Sequence, residues 1–187
     1  MTTASSASLL TVFGATGDLA QRMLLPSLYG LQGDGLLPAS MRILGTARSA
    51  LDDDAFRTFV ADAIARFVPA EQRNDDTLQA LLARVEYQPA SLDDDASMQA
   101  LAERIRSLRN GDIVYHLSTS PKFYGQACAA LAHHGLAGPG TRVMLEKPIG
   151  HDMASFRVTN EAVLESFRED QIYRIDHHLG KETVQNL

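Results

Sequence analysis

The sequence predicts an α/β protein built on a doubly wound parallel sheet with helices on both faces. Short apolar runs alternate with amphipathic stretches of helical period along the whole chain, which is typical of successive β-α-β units. The first apolar run, residues 9–13, contains β-branched and aromatic residues and is broken by Gly14 and Gly17. A helical pattern begins at Asp18. The chain therefore opens with a strand, a glycine turn and a helix.

The later elements follow the same alternation. The first helix, residues 18–33, contains Pro26, which predicts a kink or a fresh start there because proline has no N–H to donate. Further strands are expected at 41–46, 84–88, 112–117, 141–145 and 171–174, and further helices at 52–67, 78–83, 93–108, 123–134 and 152–167. Two runs of aspartate, 52–54 and 93–95, begin predicted helices and are interpreted as N-caps rather than metal ligands.

Composition excludes several classes of protein. The chain has 187 residues, 45% of them hydrophobic, which suits one packed domain. A net charge of −6 argues against a broad nucleic-acid surface. Cys128 is the only cysteine, so no intramolecular disulfide is possible and a cytoplasmic location is expected. No apolar run is long enough to span a membrane. Residues 1–8 are expected to be a flexible tail.

The glycine turn predicts an anion site. Its spacing, Gly14-x-x-Gly17-x-x-Ala20, is a variant of the dinucleotide-binding fingerprint G-x-G-x-x-G/A. Free N–H groups at the start of a helix and the positive end of its dipole favour a phosphate over the turn. An ordinary strand-to-helix turn that uses glycine for its backbone freedom is the competing interpretation.

The end of the second strand indicates which dinucleotide would bind. NAD-binding domains carry a carboxylate there for the ribose 2′-hydroxyl. This chain has Thr46 and Arg48 instead: a hydroxyl donor, and a guanidinium that suits a 2′-phosphate. The segment predicts NADP rather than NAD, and the alternative is that Arg48 is a solvated surface arginine.

Two further segments at predicted carboxyl ends of strands carry dense polar groups. Lys147 follows the strand at 141–145, and His177, His178 and Lys181 could form a basic pocket in which Asp176 orients an imidazole. No metal site is expected, because adjacent histidines rarely face one ion. His133 and His134 are expected to be solvated, and His116 to be packed in the sheet.

Four segments together resemble the glucose-6-phosphate dehydrogenase family: residues 12–20, 45–48, 146–148 and 174–182. The resemblance implies oxidation of glucose 6-phosphate to 6-phosphogluconolactone with hydride transfer to NADP. It implies these site residues: Gly14, Thr16, Gly17, Asp18 and Leu19 along the pyrophosphate; Arg48 at the ribose 2′-phosphate; Ser91 and Leu92 near the adenosine; Lys147 between cofactor and sugar; and His177 and Lys181 on the sugar phosphate. Lys147 and Asp176 are expected to act in catalysis. Thr46 is expected to bind the cofactor through its hydroxyl, and the imidazole of His178 to donate to the sugar phosphate.

Three departures from the family pattern bear on activity. Met23 stands where the family usually has lysine, and His178 where its signature has tyrosine. The third departure concerns the general base. The resemblance assigns this role to a histidine in a second α+β domain, and we expect this chain to contain only the start of that domain. We therefore expect residues 9–180 to form an NADP-binding Rossmann-like domain and residues 181–187 to begin the second domain.

This division limits what the chain is expected to do alone. We expect NADP binding without turnover, and a homo-oligomer only for a longer chain, because in this family the dimer surface lies in the second domain. The alternatives are another NADP-linked sugar oxidoreductase and a non-catalytic NADP-binding module.

Overall fold

A six-stranded parallel sheet forms the centre of the molecule, in a computed structural model that describes residues 7–175. The strands are β1 (Ala7–Phe13), β2 (Arg42–Thr46), β3 (Val85–Tyr87), β4 (Asp112–Leu117), β5 (Thr141–Glu146) and β6 (Ile172–Ile175). Their order is β3-β2-β1-β4-β5-β6 and every neighbouring pair is parallel. The predicted doubly wound sheet is confirmed, and β1 begins two residues earlier than the sequence predicts.

Six helices cover the sheet on both faces. They are α1 (Leu25–Gly33), α2 (Asp53–Phe67), α3 (Asp75–Leu82), α4 (Asp95–Leu108), α5 (Tyr124–His133) and α6 (Met153–Leu164). Short 3₁₀ turns lie at Ala70–Gln72, Pro121–Phe123 and Glu169–Gln171. No helix within residues 7–175 is long and apolar enough to cross a membrane.

Alternate residues of each inner strand supply two separate cores, because successive side chains of a strand point to opposite faces. Leu9 and Leu44 belong to the core beneath α4 and α5, whereas Leu10 and Ile43 belong to the core beneath α1, α2 and α3. Burial on both faces explains why these strands are continuous apolar runs.

The predicted irregularity at Pro26 takes the form of a π-helical turn. Residues 18–19 are already helical, the turn spans Ala20–Leu24, and α1 follows without a break. The N–H of Leu25 donates to the carbonyl of Ala20, five residues earlier. A regular helix would bring the ring of Pro26 against the carbonyl of Arg22. The wider π turn avoids this conflict.

The two aspartate runs behave differently. The Asp52 carboxylate accepts from the N–H of Ala55 at 2.8 Å and caps α2 as predicted. Asp94 occupies the N-cap position of α4 but makes no side-chain capping bond. The predicted cap is therefore wrong for this run, and Asp95 instead contacts two histidines.

Candidate functional site

A cleft of about 620 Å³ opens at the carboxyl ends of β1, β2 and β4. β1 lies between β2 and β4, so the cleft lies where the strand order reverses, the usual ligand position in such sheets. Seven of the residues predicted to bind the cofactor line the cleft: Gly14, Thr16, Gly17, Thr46, Arg48, Ser91 and Leu92. The fold therefore brings four separate segments of the sequence to one opening.

The glycine turn is held by backbone contacts. The N–H groups of Gly14 and Ala15 both donate to the carbonyl of Thr46, at 2.9 and 3.2 Å. Gly14 has a φ of +75°, and a Cβ there would lie 2.3 Å from the carbonyl oxygen of Ser118. Only glycine satisfies both restrictions without strain. The turn is therefore locked between β2 and the end of β4.

The start of the first helix projects beyond the lining of the cleft. Asp18 and Leu19 are exposed, and neither lines the cleft. The Asp18 carboxylate forms an ion pair with Arg22 at 2.6 Å. The start of the helix can still contribute to anion binding through its backbone, because the first N–H groups of a helix have no intrahelical acceptor. Ala20, at the third fingerprint position, is completely buried, as close helix–sheet packing requires.

The loop that carries Arg48 is held by hydrogen bonds from Tyr87 to its backbone. The Tyr87 hydroxyl lies 3.2 Å from the carbonyl oxygen of Ala47 and 2.9 Å from that of Ser49. Burial raises the pKa of Tyr87, so the hydroxyl stays protonated and its one proton can be donated to either carbonyl oxygen. Arg48 itself is exposed at the cleft and has no ion-pair partner within residues 7–175. An anion in the cleft can therefore reach this guanidinium without competition from a described carboxylate.

Buried hydroxyl groups at the cleft fit a polar ligand. Thr46 is 1% exposed, and neither its Oγ1 nor that of Thr119 has a hydrogen-bond partner in the described part of the chain. Both residues line the cleft. A buried hydroxyl without a partner is costly, and a ligand rich in hydroxyl and phosphate oxygens would supply one. With the glycine turn and Arg48, these groups fit a phosphorylated dinucleotide.

Sequence reasoning missed the apolar and helical walls of the cleft. These residues are Phe13, Asp93, Met98, Phe123 and Gln126. Met98 and Phe123 lie near the starts of α4 and α5: Met98 is 1% exposed and belongs to the core, whereas the Phe123 side chain is 38% exposed and offers an aromatic face to a ligand. In the sequence both look like core residues of an amphipathic helix. No local signal separates them from the rest of the apolar face.

Lys147 follows directly after β5, at the same edge of the sheet as the cleft. Its side chain is exposed, its N–H donates to the carbonyl of Ile175 at 3.0 Å, and its peptide bond to Pro148 is cis. The preceding residue, Glu146, is fixed by the buried Tyr124, whose hydroxyl contacts the carbonyl and the N–H of Glu146 at 3.1 and 3.2 Å. Burial raises the pKa of Tyr124 to about 12, so the hydroxyl remains a donor at physiological pH.

The strand beneath this edge contains a buried polar contact. His116, on β4, is 5% exposed, as predicted for a packed residue, and its Nε2 lies 3.4 Å from a carboxylate oxygen of Glu146. This contact joins β4 to the end of β5, just before Lys147. It was not predicted, because the two residues are thirty positions apart and meet only through strand pairing.

The other predicted residues of the substrate side lie outside the described residues. They are Asp176, His177, His178 and Lys181. The expectation that His133 and His134 are both solvated is wrong for His134. Its side chain is only 6% exposed, whereas that of His133 is 73% exposed. His134 is covered because the end of α5 packs against the start of α4.

The parallel order β3-β2-β1-β4-β5-β6, the glycine turn after β1 and the cleft at the switch point define a dinucleotide-binding domain of the Rossmann type. The model of the family described as "Glucose-6-phosphate dehydrogenase, NAD binding domain" matches residues 11–186. The chain belongs to this family.

Individual relatives of the chain are named glucose-6-phosphate 1-dehydrogenase, in agreement with the family. The chain is 48% identical over 183 residues to the glucose-6-phosphate 1-dehydrogenase of Zymomonas mobilis, covering 98% of the chain and 38% of that protein. It is 42% identical over 180 residues to the enzyme of that name from Mycolicibacterium smegmatis, covering 94% of the chain and 36% of that protein. The chain thus spans well under half the length of these curated relatives.

Solved structures agree with the sequence matches. A glucose-6-phosphate dehydrogenase in complex with its substrate glucose 6-phosphate superposes with a TM-score of 0.87 at 30% identity, over all of this chain and 40% of that one. The glucose-6-phosphate 1-dehydrogenase of Mycobacterium avium gives 0.84 at 32% identity, over 96% of this chain and 38% of that one.

Proposed function

We propose that this chain is the NADP-binding part of a glucose-6-phosphate dehydrogenase, an enzyme that oxidises glucose 6-phosphate to 6-phosphogluconolactone. The observation that carries the proposal is Arg48, which lies at the cleft where an NAD-binding domain would have a carboxylate. Membership of the family and the names of the relatives support the substrate and the reaction.

The roles of the cleft residues follow from their chemistry. The Gly14–Gly17 turn and the free N–H groups that follow it would hold the pyrophosphate of NADP. Arg48 would bind the 2′-phosphate through paired charge-assisted hydrogen bonds. The buried hydroxyl of Thr46 would gain a hydrogen-bond partner in the ribose. Met98 and the Ser91–Leu92 loop would enclose the adenosine. When bound, NADP supplies the acceptor for the hydride.

The substrate would bind beyond the carboxyl ends of β5 and β6. Lys147 extends from that edge and would donate to a sugar oxygen between the cofactor and the substrate. The lysine and histidines of residues 176–181 would bind the sugar phosphate, and Asp176 would orient an imidazole among them. An anionic sugar requires such cations in a chain of net charge −6.

Turnover also requires a base for the hydroxyl proton, within hydrogen-bond reach of the sugar. The family resemblance assigns that base to the part of the relatives that this chain does not match. We therefore propose that residues 9–180 form the cofactor domain and that residues 181–187 begin a second domain. The chain alone would bind NADP without reducing it. The unpaired, buried Cys128 is consistent with a cytoplasmic protein.

Calorimetric titration of the purified chain with NADP and with NAD tests the cofactor assignment. Arg48→Ala should weaken NADP binding by about tenfold to a hundredfold, since a charge-assisted pair contributes roughly 1.5–3 kcal/mol, and should change NAD binding little. Arg66→Ala is the matched control, because Arg66 is an exposed arginine on α2 that does not line the cleft. Equal losses for both dinucleotides would contradict the assignment.

A separate assay tests the division of labour. The chain is mixed with NADP and glucose 6-phosphate, and absorbance of the reduced nicotinamide is followed. We expect no reduction. Measurable reduction would show that this chain holds its own base, whereas NADP binding without reduction agrees with a cofactor domain. A chain that binds no dinucleotide at all would contradict the proposed function.

A further inference from the structure

A cluster of three metal-ligating side chains lies outside the cleft, between the start of α4 and the end of α5. Asp95 is the first residue of α4, His133 is the last residue of α5, and His134 follows it. One ligand atom from each of the three lies within 4.8 Å of the others. We call this cluster the α4–α5 clasp. The proposed oxidoreductase function makes no use of it.

The distances in the clasp match those between the ligands of a tetrahedral metal ion. One carboxylate oxygen of Asp95 lies 3.7 Å from Nε2 of His133 and 3.3 Å from Nε2 of His134. Ligand atoms at about 2.0–2.1 Å from a zinc ion are about 3.4 Å apart when the geometry is tetrahedral. The adjacent histidines turn the same ring atom, Nε2, toward one Asp95 oxygen, and their rings are nearly perpendicular, at 84°.

His134 is already oriented as a ligand. Its Nδ1 lies 3.2 Å from the amide oxygen of Gln99, and the amide nitrogen of Gln99 donates to Glu103 at 2.9 Å. This second bond fixes which end of the Gln99 amide faces the imidazole. An amide oxygen only accepts, so Nδ1 of His134 carries a proton and Nε2 is the ring nitrogen that faces the clasp, where an ion would take the place of any proton shared with Asp95. Metal-binding histidines are typically oriented by such a partner.

The backbone at His134 is fixed as well. The guanidinium of Arg106, two turns after Gln99 on α4, donates to the carbonyl of His134. The His134 side chain is 6% exposed, whereas those of Asp95 and His133 are 78% and 73% exposed. One ligand is therefore held in place, and the other two can adjust to an ion from the solvent side.

The donor set selects the kind of ion. Two imidazoles and one carboxylate favour zinc and its neighbours among the transition metals, whereas calcium and magnesium prefer oxygen ligands alone. The clasp lines a hollow of about 350 Å³, which leaves a fourth position for water. We propose that Asp95, His133 and His134 bind one zinc-class divalent ion, which joins the start of α4 to the end of α5.

The position of the clasp gives the ion a structural consequence. Its hollow and the cofactor cleft share Leu92, Asp93, Met98 and Gln126. An ion in the clasp would therefore fix the wall on which the adenosine is expected to lie. Because the ion binds only the folded arrangement of the two helices, it should also raise the unfolding temperature.

Titration of the metal-free 187-residue chain with Zn²⁺ and with Co²⁺ tests the site. Calorimetry gives the stoichiometry and Kd for zinc, and the visible absorption of Co²⁺ reports nitrogen ligation and tetrahedral geometry. The variants are Asp95→Ala and His133→Ala, which change exposed side chains and leave the fold undisturbed, and Gln99→Ala, which removes only the support of His134. His177→Ala/His178→Ala is the control, because those neighbouring histidines are the other pair in the chain.

We expect one zinc ion per chain in the unaltered protein and in the His177→Ala/His178→Ala control. Binding should be lost in Asp95→Ala and His133→Ala and weakened about tenfold in Gln99→Ala, the usual cost of removing such a partner. Zinc should raise the Tm of the unaltered chain and not that of the Asp95→Ala variant. Absence of zinc binding, or binding lost only in the His177→Ala/His178→Ala control, would overturn the proposal and leave the clasp an ion pair between helix ends.

Discussion

The cofactor side and the substrate side of the carboxyl edge are built in different ways. On the cofactor side, segments after β1, β2, β3 and β4 enclose one cleft, and seven of the nine predicted residues there line it, all but Asp18 and Leu19. On the substrate side, Lys147 follows β5 alone, supported from below by Tyr124 and Glu146. The cofactor side is defined by the backbone of the glycine turn and by its contacts to the ends of β2 and β4, all within the described residues. The substrate side presents one predicted site residue, Lys147, at the end of a strand whose last residue is held by a buried tyrosine.

This difference indicates what each side would tolerate. The cofactor turn depends on a conformation open only to glycine and on contacts to a neighbouring backbone, so small changes there should be severe. The strand end depends on hydrogen bonds from side chains, which can be removed one at a time. Substitutions at Gly14, Tyr124 and Asp152 measure the contrast, from the largest expected effect to the smallest, and Gly35→Ala is the control for the first.

Gly14→Ala should have the largest effect. An alanine at φ +75° costs about 1–2 kcal/mol for the left-handed conformation alone. Its Cβ would also overlap the carbonyl of Ser118, and backbone cannot yield as a flexible side chain can. We expect the turn to leave its position between β2 and β4 and dinucleotide binding to be lost. Calorimetric titration with NADP measures the loss, and circular dichroism checks that the sheet remains folded.

Gly35→Ala separates the two causes. Gly35 has a similar φ of +68°, but nothing lies within 4 Å of the position of its Cβ. It should therefore lose only the conformational part of the free energy of unfolding and keep its NADP affinity. If Gly14→Ala proved no worse than Gly35→Ala in urea unfolding and in NADP binding, the cofactor side would be less constrained than we argue.

Tyr124→Phe should have an intermediate effect on the substrate side. It leaves the N–H and carbonyl of Glu146 without their buried partner, which should lower the free energy of unfolding by about 1–3 kcal/mol. Urea unfolding measures this loss. NADP affinity should change less than about threefold, because the backbone contacts of the glycine turn remain. A Tyr124→Phe variant that bound NADP as poorly as Gly14→Ala would show that the two sides are one structural unit.

The sequence predicts the cofactor side well because its signals are local. Gly14, Gly17 and Arg48 each occupy a fixed place relative to the end of a strand, and parallel strands bring such ends together at one edge. The order of strands and helices follows from periodicity for the same reason. The π turn before Pro26 shows the limit, since the sequence indicates an irregularity there but not how the helix accommodates it.

Features that depend on packing between distant elements could not be predicted. Phe123 looks like a core residue until α5 is placed beside the cleft. Asp95 looks like a helix cap until the end of α5 brings His134 to it. His116 and Glu146 meet only through the pairing of β4 with β5. Asp95 and His134, like His116 and Glu146, are thirty or more positions apart in the sequence, so composition and spacing give no sign of either contact.

Asp152 should give the smallest effect. It caps α6 just after the Lys147 loop, accepting from the N–H and the hydroxyl of Ser155, both at 2.7 Å. These hydrogen bonds hold its pKa below the usual value, so its contribution to stability is complete above the pKa of an unfolded aspartate, about 3.9, and is lost as the pH falls through the lower folded value.

At neutral pH, Asp152→Ala should lower the Tm slightly and Asp152→Asn less, because asparagine also caps helices. The difference in Tm between the unaltered chain and Asp152→Asn should shrink as the pH falls through the lowered pKa and the carboxylate becomes protonated. NADP affinity should be unchanged in both variants. A Tm difference independent of pH would mean that the charge of Asp152 does not support the substrate side.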